Sequence, residues 1–95
     1  MSALWIAHVT VTDEEAYSKY ASLATQAIAK HNGQFLARGG RYIQLEGKER
    51  PRHVVVKFPS VEQAHRCYQS DIYQQALSYA RNASEREMVI VQIPD

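Results

Sequence analysis

FLARGGRYIQLEGKERPRHVVVKFPS, residues Phe35 to Ser60, sets two extended segments in succession with no helical pattern between them. Pro51 drives Arg50 out of the helical region, and the β-branched run Val54-Val55-Val56 follows, so a strand is predicted from Arg52 to Phe58. Before it, Gln34 to Leu45 is predicted as a strand interrupted at Gly39-Gly40, with the polar Glu46-Gly47-Lys48-Glu49 as a connection of hairpin length. Strands joined in this way run antiparallel. Arg38 and Arg41 flank the glycine pair, which suits either a nest of amides holding an anion or a bulge that bends the strand. We read a bulge, which leaves Arg38 available as a dimer contact or a ligand clamp. The spacings of a phosphate-binding loop do not occur.

The flanks of this unit repeat one pattern. On the amino-terminal side, Ala3 to Val11 (ALWIAHVTV) is rich in β-branched and aromatic residues and is predicted as a strand. Thr12 and Glu15 have the spacing of a capping box, and Tyr17, Tyr20, Ala24 and Ile28 then form one apolar helical stripe that closes at Asn32-Gly33. On the carboxyl-terminal side, Ser60 and Gln63 cap a second helix, Ser70-Asp71 marks a bend or restart, and Asn82 is predicted to close it. Glu87 to Ile93 completes the order βαββαβ. That order is a ferredoxin-like α+β sandwich over residues 1–95: one four-stranded antiparallel sheet, two helices on one face, and the first strand between the third and fourth.

Face by face, Trp5, Ala7, Val9 and Val11, with Val54, Val56 and Phe58, and with Val89, Val91 and Ile93, are predicted to lie under the helices. The other face then carries Leu4, Ile6, His8 and Thr10, with His53, Val55 and Lys57, and with Met88, Ile90 and Gln92. About half of those positions are apolar, more than a solvated face carries. A homodimer through the open sheet face is therefore expected.

The formal net charge is +1, from eleven basic and ten acidic residues, so no field gathers phosphate backbones or anionic lipid. Nucleic acid and membrane are not expected partners, and strand three (HVVVKF) lacks the exposed aromatic pair of an RNA-recognition sheet. No apolar run approaches the roughly 20 residues of a membrane span, and Met1-Ser2-Ala3 lacks the basic start of a signal peptide, so a cytoplasmic location is expected. Cys67 is alone, which leaves no internal disulfide and no cysteine metal cluster. The four histidines lack metal-ligand spacings; His8 and His53 meet across adjacent strands as at most two ligands, so no metal and no cofactor are expected.

Six tyrosines are many for 95 residues. Tyr17, Tyr20, Tyr68 and Tyr73 all point from helices toward the sheet above Trp5, which suits either core packing or a cleft for a flat small molecule. If such a cavity reaches the sheet edge, His8 would act as a base and Arg38 would orient the substrate or stabilise an oxyanion.

Taken together, Tyr17 and Tyr20, Gly33, FLARGG at 35–40, LEG at 45–47, Pro51-Arg52, FPS at 58–60 and CYQSDIYQ at 67–74 resemble the domain-of-unknown-function 1330 family over nearly the whole chain. The resemblance implies a monomer of the dimeric α+β barrel superfamily. That group also includes cofactor-free monooxygenases, lactone isomerases, haem-degrading enzymes and stress-linked domains. It supports two expectations, a cofactor-independent enzyme acting on a small cyclic or acidic metabolite and a non-catalytic ligand-binding or stress-related module.

Overall fold

The strand Ala3–Val11 (β1) alternates between buried and more open positions, as a strand between two layers does. A computed structural model describes residues 1–95 and adds α1 (Glu14–Lys30), β2 (Gln34–Arg38), β3 (Arg52–Phe58), α2 (Val61–Gln69), α3 (Asp71–Ala80) and β4 (Ser84–Gln92). The four strands form one antiparallel sheet in the order β2-β3-β1-β4. The expected ferredoxin-like α+β arrangement is therefore present, with the second helix broken in two. Ser70 makes that break by accepting from the Tyr73 amide and donating to the Cys67 carbonyl, so it ends α2 and starts α3.

Several local expectations are corrected. Asp13, not Thr12, caps α1, because its carboxylate accepts the Ala16 amide at 3.2 Å. Asn32, not Gly33, takes the left-handed turn after the helix (φ 63°). Gly33 is needed for space instead: a Cβ there would sit 2.6 Å from Ile28 Cγ2 and 2.9 Å from the Phe58 ring. Arg81, not Asn82, closes α3. The second strand ends at Arg38 rather than Leu45, since Gly39 turns the chain at φ 69° while its amide still bonds to the His53 carbonyl. The bulge lies between Phe35 and Ala37 rather than at the glycine pair. Residues 39–51 then form a long arm instead of a tight hairpin.

The largest correction concerns β4. Trp5 pairs with Ile90 and Ala7 with Met88, so Met88 and Ile90 face the helices while Val89 and Val91 face outward, the reverse of the sequence-based assignment. Strand four is apolar on both sides from Met88 to Val91, and its phase is set by register with β1 rather than by its own alternation. The open face therefore carries Leu4, Ile6, Val55, Val89 and Val91 toward one end. Toward the other end, His8, Thr10, His53, Glu85 and Glu87 are roofed by the arm. Arg50, only 8% exposed, reaches Thr10, Glu85 and Glu87 at 3.1 to 3.4 Å. No helix of the chain is long and apolar enough to cross a membrane.

Candidate functional site

Beneath α1 the inner side of the sheet is not uniformly apolar. Val9 pairs with Arg52 on β3 and with Arg86 on β4, and Arg38 on β2 pairs with Val54, so three guanidinium groups rise from three strands toward one helix. Small residues leave room for them: Ala7 on the sheet, and Ala21 and Ala24 on α1, line the same narrow cleft with Tyr17, Tyr20 and Phe35. The 13 lining residues include no carboxylate.

Arg86 is the centre of this arrangement. Its Nη2 donates to the Tyr20 hydroxyl at 2.6 Å and the Tyr73 hydroxyl at 3.0 Å, and it touches Met88 Sδ at 3.1 Å. The two hydroxyls are themselves 2.7 Å apart, and the guanidinium lies 4.5 Å from the centre of the Tyr20 ring. Its Nε is buried with no partner, and no carboxylate forms an ion pair with it. Burial holds the Tyr20 and Tyr73 hydroxyls above the ordinary phenol range despite the neighbouring guanidinium, so both stay protonated at neutral pH. Burial raises Tyr17 as well, with Tyr20 as the next cause. The result is a cation with neutral hydrogen-bonding groups around it and no counter-charge.

The sequence-predicted aromatic residues do meet. Trp5, 1% exposed, sits edge-on to Tyr73 at 5.0 Å and tilted to Tyr68 at 6.0 Å, while Tyr17 and Tyr20 pack at 4.9 Å. Arg38 stands at the outer end of the cleft, donating to Thr25 Oγ1 at 2.7 Å over the Phe35 ring. The pairing of His8 with Arg38 is not formed, because strand alternation puts them on opposite sides of the sheet. His8 instead meets His53 on the open face, Nδ1 to Nδ1, at 2.7 Å. Glu87 lies beside His8 in register, so a carboxylate accompanies the two imidazoles on this face. Arg86 and Arg52 were missed as site residues. The signal for Arg86 is its register: four positions before Ile90, it shares the side of β4 that faces Trp5 and the helices.

A ferredoxin-like sheet with a cationic, tyrosine-lined cleft beneath its first helix is the class of protein these features define. The chain belongs to the family described as Domain of unknown function (DUF1330), whose model matches residues 2–93. Among solved structures it is similar to a protein of unknown function from Rhodopseudomonas palustris (TM-score 0.79, 15% identity, covering 99% of this chain and 83% of that one). It is also similar to a dimeric ferredoxin-like protein of unknown function from Jannaschia sp. CCS1 (TM-score 0.73, 10% identity, 98% and 100% covered). A third likeness is to a mutant form of SnoaB, a cofactor-independent oxygenase from Streptomyces nogalater (TM-score 0.68, 12% identity, 99% and 94% covered). At these identities the likeness is one of fold. No curated protein matches the chain in sequence.

Proposed function

We propose that the chain, as a cytoplasmic homodimer joined through the open sheet face, binds a small anionic metabolite whose charged end rests on Arg86. The observation that carries this reading is the buried, partnerless Nε of a guanidinium that has no carboxylate beside it. Arg86 as a whole is half-buried, but its Nε is removed from water without a partner, and a ligand carboxylate or enolate would satisfy it with a charge-assisted hydrogen bond. Arg52 and Arg38 extend the positive field toward the mouth, and the aromatic residues supply flat walls. The space under α1 is about 30 Å³, enough for a carboxylate-sized group and not for a ring. Isothermal titration with acetate tests the reading. Saturable binding to the wild-type chain is expected, weakened at least about tenfold by Arg86→Gln, which corresponds to about 1.4 kcal/mol. Equal binding by the variant would overturn it.

A catalytic role has its own supporting observation. The Tyr20 and Tyr73 hydroxyls and Arg86 converge within 3.0 Å of one another, an arrangement suited to holding negative charge that develops on a substrate oxygen. That is the demand of an isomerase passing through an enolate, or of a cofactor-independent monooxygenase acting on an ionised cyclic substrate. In this role Tyr20 and Tyr73 stabilise the oxyanion and His8, on the far side of the sheet, takes no part. Turnover of a bound cyclic acid, lost in Tyr73→Phe while binding persists, separates an enzyme from a non-catalytic module.

A further inference from the structure

We infer that the apolar body of the ligand lies between α2 and β4, and that Met88 is a movable partition between that hollow and Arg86. This rests on the reading that Arg86 receives an anion. The hollow measures about 240 Å³ and is lined by Trp5, Tyr68, Met88, Ile90, Val89 and His65. Trp5 lines it on one side and the arginine cleft on the other, so the two spaces are neighbours. What separates them at Arg86 is the Met88 thioether, 3.1 Å from Nη2 and 3.9 Å from the Tyr73 hydroxyl.

A thioether is a weak acceptor for a guanidinium, and an unbranched methionine has several rotamers of similar energy. A carboxylate oxygen arriving from the hollow replaces that contact with a charge-assisted one, and the displaced side chain moves aside at little cost. Joined, the two spaces approach the roughly 300 Å³ at which small-molecule pockets begin. The arginine cleft alone is too small for a ring and the hollow alone has no cation, so neither half suffices. The ligand class that fits both is an aromatic carboxylic acid with fused or extended rings: carboxylate on Arg86, rings against Trp5 and Tyr68.

Met1 and Met88 are the only methionines, so a protein labelled with ¹³C at the methionine methyls has two signals, assigned with Met88→Leu. Titration with 2-naphthoate is expected to move the Met88 methyl signal by ring-current shift and leave Met1 in place. His65→Trp, a change at an exposed position on the rim, is expected to weaken 2-naphthoate at least about tenfold while leaving acetate unchanged. Saturable 2-naphthoate binding with a stationary Met88 signal, or with no effect of the rim variant, overturns the partition and leaves the Arg86 reading standing. If neither acid binds the wild-type chain, or if both bind Arg86→Gln equally, the Arg86 reading falls and the partition with it.

Discussion

Tyr20 and Tyr73 hold their protons because the folded chain removes their hydroxyls from water, which penalises the phenolate more than the nearby guanidinium favours it. The unfolded chain would release those protons near pH 10, the ordinary phenol value. Above that pH the folded state binds more protons than the unfolded one, so stability is fully present below about pH 10 and is lost as pH climbs toward the folded-state values. The midpoint of thermal unfolding is therefore expected to fall steeply above pH 10. Tyrosinate absorbance at 295 nm should show a late component that appears only with unfolding, and Tyr73→Phe should reduce it. A single ionisation step complete in the native state near pH 10 would contradict this. Gly33 makes a second demand on one position. Any side chain there meets Ile28 and Phe58, so Gly33→Ala is expected to destabilise by about 1–3 kcal/mol in denaturant titration, through crowding rather than backbone strain.

The break between α2 and α3 depends on one hydroxyl, since Ser70 Oγ both donates to the Cys67 carbonyl and accepts from the Tyr73 amide. Ser70→Ala is expected to cost about 1 kcal/mol, read as a lower unfolding midpoint with faster amide exchange at the start of α3. That break could be read from Ser70-Asp71 because capping is local chemistry, carried by a side chain and the next three residues. The phase of β4 could not. Met88-Val89-Ile90-Val91 offers four apolar residues in a row, so alternation says nothing about which pair faces in, and Arg86 would by polarity be placed outside. Only the pairing of Trp5 with Ile90 settles it, a contact between residues far apart in the chain. The candidate site was hidden at the same strand, because the sequence predicts that strand only from Glu87 onward, whereas β4 begins at Ser84 and so carries Arg86 into the sheet. The end of β2 was obscured for a related reason: a glycine pair marks an irregularity without saying whether the strand resumes, and here the chain leaves the sheet at Gly39.

Taken as a whole, the molecule has one sheet face covered by three helices and another covered only in part by its own arm. Arg50 and the acidic pair Glu85 and Glu87 keep the roofed end polar. At the other end Val89 is 56% and Val91 44% exposed beside Leu4, Ile6 and Val55, while the arm itself displays Ile43 and Leu45 at 72% and 88%. Contiguous apolar surface beyond a few hundred Å² is uncommon on monomers, and a two-fold axis lets the same patch cover itself. A lysine on such a patch would have to leave water on association, and that desolvation opposes pairing. The double variant Val89→Lys and Val91→Lys is therefore expected to convert a dimer to a monomer in light scattering at micromolar concentration. Because both side chains point away from the helices, the change should leave the far-ultraviolet circular dichroism intact. A wild-type chain that scatters as a monomer at that dilution, or a double variant that remains dimeric, would mean that something other than the open sheet face joins the copies or that nothing does.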